Sequence, residues 1–388
     1  RLELARVITP YAGDKPNSWF HDYQFDVTDY APLLTGEKIV NAYYGGYQDG
    51  FTISIWFDFI EGTPPRDVLR IDKVYRSGAG GFKYGHASDP IEDHLDTKII
   101  DLDANAEGAT FRLVATGHGF GNDASNGNPD NCAEFCAKWF KVFANNQELY
   151  QNTVWKDDCG SEAHQAQTGT WIYNRAGWCP GGEAQVFDHD LSGSLFSNNI
   201  AINVDWQPYT YTSGSGFPIH YWLESHLIQY GDFNYSTDAE INQILRPTDF
   251  DRQSRYNPTC GTPAIVIKNN GANRLEQVKL RYGVTGGTPI TTTYNTFLEF
   301  GQTQELELPI PPENFYQGNG RKFYAELIEV NGSQDENATN NRMESNYELA
   351  PNLPQQFIVR MRTNNTLDNE YFLYNSKGDT IINGTGLA

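Results

Sequence analysis

Three short stretches of this chain hold side chains that could do chemistry. In Asn131-Cys132-Ala133-Glu134-Phe135-Cys136 a carboxylate sits between two thiols four positions apart. In Asn174-Arg175-Ala176-Gly177-Trp178-Cys179-Pro180-Gly181 a guanidinium, an indole and another thiol share a glycine-containing turn. In Gly117-His118-Gly119-Phe120 an imidazole stands between two glycines. A carboxylate can activate water or accept a proton. The planar, permanently charged guanidinium suits a carbonyl oxygen or a carboxylate. The imidazole can touch a ligand or carry a proton, and a plain surface position fits it equally well.

Other groupings read as structural. Asp188-His189-Asp190 resembles a metal-binding triplet, but three adjacent residues of a strand point to opposite faces, so solvated surface is the better reading. Gly78-Ala79-Gly80-Gly81-Phe82 lacks the strand-to-helix context of a phosphate loop and reads as a turn. The five cysteines pair more readily as disulfides than as a metal site. The Cys132–Cys136 spacing is not that of a usual zinc knuckle, and disulfides in a large acidic β protein point to a secreted or cell-surface location. Cys260 has no evident partner.

The elements that must position these residues are strands. The 388 residues carry 28 Lys plus Arg against 49 Asp plus Glu, a formal net charge of −21. That balance argues against nucleic acid or an anionic membrane face as the main partner. No run of about 20 apolar residues could span a membrane. Glycine, proline, tyrosine and phenylalanine are abundant, as in a turn-rich β protein. Alternating or β-branched runs predict strands over 38–44, 51–60, 110–116, 140–143, 200–206 and 219–230. In the second of these, Ile53, Ile55, Phe57 and Phe59 share one face. The one helix predicted runs from Ser236 or Thr237 as cap, with Glu240 reaching back, to Leu245, and Pro247 stops it.

Boundaries follow from the punctuation. Glu61-Gly62-Thr63-Pro64-Pro65 is a rigid turn after a strong strand. All eight Trp and all eight His precede residue 227, so side chains suited to chemistry and sugar stacking are concentrated in the first part. From about residue 258 strands at 264–267, 278–284, 306–308 and 323–330 predict a small β-sandwich. This part is similar to the cell-adhesion-related Ig-like modules of bacterial surface proteins. Phe357 to Ile382 reads as the opening of a further β module. The alternation of Leu2, Leu4 and Val7 suggests a start in mid-strand, so the sequence reads as an internal piece of a longer polypeptide.

The order and content of the three reactive stretches, with Arg6-Val7-Ile8-Thr9-Pro10-Tyr11 and Phe25-Asp26-Val27-Thr28-Asp29-Tyr30 before them, resemble the peptide-N-glycosidase F family of bacterial amidases over residues 1–233. The resemblance implies an all-β fold of two adjacent jelly rolls. Residues 1–64 would be the end of the first roll and 65–233 the second, followed by a linker with a short helix at 234–257, the Ig-like sandwich at 258–350 and the further module at 351–388. It implies disulfides Cys132–Cys136 and Cys159–Cys179. It assigns Glu134 and Arg175 to catalysis and His118, Trp178 and Tyr44 to substrate binding. No metal or cofactor is implied. The substrates would be N-glycosylated proteins or peptides, with the C-terminal modules a route to cell-surface attachment.

Two departures from the family pattern bear on activity. The family's Asp in a Trp-Asp-Arg motif has no counterpart in these residues, and the expectation places it before Arg1. The family's second Glu should fall in Lys38 to Tyr44, which holds no acid, leaving Tyr43 or Tyr44 to line the cleft. An enzyme that hydrolyses the asparagine–glycan amide is therefore weighed against a non-catalytic glycan-binding or adhesive protein of the same fold. A copper monooxygenase on this architecture ranks last, because neither Met343 nor Met361 lies in the double roll.

Overall fold

The computed structural model describes residues 1–13, 15–45, 50–120, 132–161, 167–210, 219–256, 262–312, 314–317, 321–349, 358, 370–374 and 379–385. The chain divides into two units, Arg1–Asn234 and Tyr235–Ala388.

The first unit contains β1 (Arg66–Arg76), β2 (Phe82–Lys83), β3 (Lys98–Asp101), β4 (Gly108–His118), β5 (Lys138–Ala144), β6 (Gln147–Val154), β7 (Val186–Asp190), β8 (Asn199–Trp206) and β9 (His220–Phe233). They form two antiparallel sheets. One has the order β1-β9-β4-β7, with β2 beside β9, and the other β3-β8-β5-β6. Alternation explains the layering, because successive side chains of a strand point to opposite faces. Phe111, Leu113 and Ala115 of β4 and Tyr221, Leu223 and Leu227 of β9 meet Phe140 and Val142 of β5 and Ile200, Ile202, Val204 and Trp206 of β8 in one buried core.

β9 is buried on both faces. Its second face carries Trp222, Glu224 and His226, in register with Thr116, Val114 and Arg112 of β4. Residues from the start of the chain cover this polar face. The 3₁₀ turn Thr28–Leu34 brings Tyr30, whose hydroxyl bonds His226 Nδ1 at 2.8 Å. Asp29 pairs with Arg112 at 3.1 Å, and Arg112 with Asp188 at 2.7 Å. Buried charges require such partners.

The strands predicted at 38–44 and 51–60 are not formed. Their described residues lie outside any ladder, and Ile53, Ile55 and Phe59 are exposed. Alternation marks a chain suited to pairing, but a strand exists only where a neighbour takes its backbone N–H and C=O groups. Residues 1–64 do hold one isolated bridge, Val7 to Glu183.

The second unit has β10 (Ala239–Arg246), β11 (Ala264–Asn269), β12 (Leu275–Val284), β13 (Ile290–Leu298), β14 (Thr303–Glu307), β15 (Lys322–Val330), β16 (Arg342–Asn346), β17 (Glu370–Tyr374) and β18 (Thr380–Thr385). Sheets β10-β11-β14 and β13-β12-β15-β16 enclose a second core that includes Ile241, Ile265, Leu280 and Phe323. β17 and β18 pair as a hairpin. The helix predicted over 236–245 is instead strand β10. Ala239, Ile241 and Ile244 enter the core while the backbone pairs with β11. A short apolar run fits either element, and here the ladder decides. Glu240 accepts from Asn270 Nδ2 rather than capping a helix. The stretch read as a linker therefore supplies an edge of the sandwich. Cys260 and most of the stretch 357–369, read as the opening of the further β module, lie outside the described residues.

Candidate active site

The site is built where β4 ends. Its last residues are overlain by two loops, one closed by the Cys132–Cys136 disulfide and one anchored by Cys159–Cys179. Both disulfides match the pairing that the sequence resemblance implied. Two glycines make the overlap possible. A Cβ on Gly117 would collide with the Ala133 carbonyl, and one on Gly177, at φ +76°, with the Ala115 carbonyl. Loop backbone therefore lies directly on strand backbone, which only glycine permits. Ala133 itself has φ +75° and is fully buried. The loops are also tied to each other and to β4. Ala176 N–H donates to the Glu134 carbonyl at 2.9 Å, Gly117 N–H to the Ala176 carbonyl at 2.9 Å, and Glu134 N–H to the Gly119 carbonyl at 3.2 Å.

Between these loops the Arg175 Nε donates to Glu134 Oε1 at 3.2 Å. The guanidinium is completely enclosed, while the Glu134 side chain is 14% exposed. Arg175 Nη2 donates to the Thr170 carbonyl at 2.8 Å, to Thr170 Oγ1 at 3.0 Å and to the Tyr11 hydroxyl at 3.4 Å. Nη1 donates to the Tyr173 carbonyl. The rings of Phe135 and Trp178 each stand 4.9 Å from the guanidinium carbon. Burial raises the Glu134 carboxyl above the ordinary carboxylate range, against the pull of Arg175 and a backbone hydrogen bond from Gly119. A carboxyl raised in this way is, once ionised, a stronger base than a free one. Arg175 acts on that carboxyl from behind, since its own donors are turned inward.

The other expected residues are placed differently. Trp178 is 5% exposed, its indole N–H donates to the Gly117 carbonyl at 2.7 Å, and it supports the loop more than it lines a cleft. His118 is half-buried, stacks on Trp178 at 5.2 Å and bonds Thr116 Oγ1 at 2.8 Å. Burial first, then His220 and Arg6, push its imidazole down to about 3, so it is a neutral ring at physiological pH. Tyr44 is 37% exposed and stands 6.3 Å from the Phe51 ring; the described contacts do not join it to Glu134. Tyr11, Thr170, His220 and Trp222 belong to the surroundings of the site and were not singled out as site residues. Tyr11 closes the quoted Ile-Thr-Pro-Tyr motif, which was the available signal. Asp188, His189 and Asp190 do alternate across β7, but His189 is buried and bonded to Asn152 Oδ1 at 2.7 Å rather than solvated. Among the described residues no group of three or more His, Cys, Asp or Glu is arranged to hold a metal.

A family model described as peptide-N-glycosidase F, C terminal, matches residues 89–223. That match covers about a third of the chain. It takes in Glu134, Arg175, His118, Trp178 and Trp222. The chain is 31% identical over 207 residues to the peptide-N(4)-(N-acetyl-beta-D-glucosaminyl)asparagine amidase F of Elizabethkingia miricola, covering 50% of this chain and 56% of that protein. The chain thus spans about half the length of that curated relative. Among solved structures, PNGase F, described as a glycosylasparaginase from Flavobacterium meningosepticum, is 26% identical with a TM-score of 0.39, covering 44% of this chain and 55% of the other. PNGF-II is 18% identical with a TM-score of 0.33, covering 43% and 30%. Among the described residues no helix is long and apolar enough to cross a membrane.

Proposed function

We propose that the first unit of this secreted or cell-surface protein carries a peptide-N-glycosidase-type amidase site that hydrolyses the amide between asparagine and the N-linked glycan of glycoproteins or glycopeptides. One observation carries this reading. A single carboxyl, raised by burial, is held at fixed angle by an enclosed arginine on a disulfide-closed loop. In the reaction a water oxygen bonds to the side-chain carbonyl carbon and the carbon–nitrogen bond breaks. Glu134 accepts the water's proton, and a proton reaches the departing glycosylamine nitrogen. The peptide keeps an aspartate and the glycan leaves as its amine. Positioning by a locked loop supports this chemistry, because a carboxyl that need not reorganise lowers the barrier most.

The test is incubation of the full-length protein with an N-glycopeptide and mass analysis of the peptide. Conversion of asparagine to aspartate, lost in Glu134→Ala, supports the reading. Full turnover by Glu134→Ala overturns the assignment. A second reading, glycan binding without hydrolysis, is favoured by the absence of any acid in Lys38 to Tyr44. Retention of glycopeptide with no aspartate formed would select it. The C-terminal modules fit either reading as spacers or surface attachment.

A further inference from the structure

Beyond Glu134 the outer ends of β4 and β9 carry a continuous row of rings. His118 and His220 are directly paired across the two strands, and Trp222 is paired with Thr116. Directly opposed residues of an antiparallel pair share a face, so His118, His220 and Trp222 lie together. The His118 ring is 4.9 Å from Trp222 and 5.6 Å from His220, and Trp222 is 6.1 Å from His220. All three are half-buried. The row joins the site through Trp178, which stacks on His118 on one side and on the Arg175 guanidinium on the other.

Two glycines border the row. A Cβ on Gly81, at φ +67°, would run into His220 and come within 2.9 Å of Trp222 Cδ1, and one on Gly45 would sit 3.1 Å from Trp222 Cη2. Both glycines let main chain pass close to the edges of the indole, where a larger residue would press on it. Arg6 fixes the strand beneath, donating to the Trp222 carbonyl at 2.8 Å and to Thr116 Oγ1 at 3.0 Å. The Trp222 indole N–H is turned inward and buried, so the indole offers carbon surface rather than its N–H to a ligand.

We infer that Trp222 and His220, with His118 as the junction, form a stacking shelf for pyranose rings beyond the sugar bonded to asparagine, with Trp222 determining how long a glycan is favoured. This rests on the glycan reading given above, and it concerns residues that reading does not use. Flat, weakly polar rings in a row suit the C–H faces of sugars, while a charged cluster would not. A ligand spanning from Glu134 along the shelf must be an oligosaccharide.

The experiment is calorimetric titration of the full chain with two probes, N,N′-diacetylchitobiose and the trimannosyl-chitobiose pentasaccharide. The wild type should bind the pentasaccharide more tightly. Trp222→Ala should weaken the pentasaccharide by about tenfold and the disaccharide by less than about twofold. His220→Ala, which removes a ring at the strand's outer end, serves as the second variant should Trp222→Ala lose its fold by circular dichroism. Equal affinity of both variants and wild type for the pentasaccharide, equal losses for both probes, or no binding by the wild type overturns the shelf. Glycopeptide conversion is measured in parallel. Binding that depends on Trp222 without conversion leaves the shelf standing and removes the amidase; conversion with binding indifferent to Trp222 and His220 does the reverse.

Discussion

Arg175 is the more deeply enclosed member of its pair with Glu134: its Nε is 3.2 Å from Oε1, yet only the carboxylate retains any exposure. A buried guanidinium deprived of its carboxylate is costly, because the remaining charge has no solvent to turn to. Glu134→Ala should therefore lower both activity and stability, by about 10²-fold or more in turnover and about 2–5 kcal/mol in unfolding. Glu134→Gln should lose comparable turnover but fold better, since its amide oxygen still accepts from Arg175. Denaturant unfolding of both variants beside glycopeptide turnover checks this.

Arg175→Met removes the group that holds the Glu134 carboxyl down while leaving the burial that pushes it up. Glu134 should then titrate higher than in the wild type. Carboxyl-selective NMR titration reads the change, and a downward shift would contradict the account. Any acidic limb of a pH–rate profile that Glu134 controls, as the base that must be ionised, should move up with it.

Gly117→Ala and Gly177→Ala should each disrupt the site at its foundation. In both, the added methyl meets a backbone carbonyl rather than a movable side chain, and Gly177 also carries a left-handed φ. The cost should be about 3 kcal/mol or more, with loss of glycan binding. Gly193→Ala, which meets open space at a described non-left-handed glycine, should stay near wild type in the same thermal melts.

The second unit should show its own pH dependence. Asp238 is buried beside Asp335, and burial, outweighing donors from Asn337 and Asn340, raises its carboxyl from 3.8 to about 6. The folded state thus binds this proton more tightly than the unfolded chain. Its contribution favours folding below about pH 4 and is lost as pH rises through 6. Hydrogen exchange of β11 and β12 amides should quicken from pH 4.5 to 7 beyond the intrinsic rate, and Asp238→Asn should flatten that trend.

The strands framing the site were legible because β4, β5, β8 and β9 announce themselves by alternating, β-branched and aromatic residues that a two-sided core selects. Residues 51–60 show the same alternation and no ladder, because sequence records suitability for pairing and not the partner. The run at 236–245 carried cap-like residues whose side chains serve other bonds, with Glu240 on Asn270 and Asp238 on Asn337 and Asn340. Glu134 and Arg175 were found through two compact motifs. Trp222 and Tyr11 were not, since strand register and a long excursion of chain bring them there: Trp222 opposite Thr116 from over a hundred residues away, Tyr11 against Arg175.

The interlocked backbones over the end of β4 also say where change is tolerated. Because Ala133 rests on Gly117 while Ala176 bonds both Gly117 and Glu134, the acid cannot be shifted by lengthening either loop without rebuilding three chain segments together. Variation in what this protein accepts must then come from exchanging side chains at the rim, while the hub stays as it is. Directed libraries for altered preference belong on the flanking rings and not on the cysteine loops.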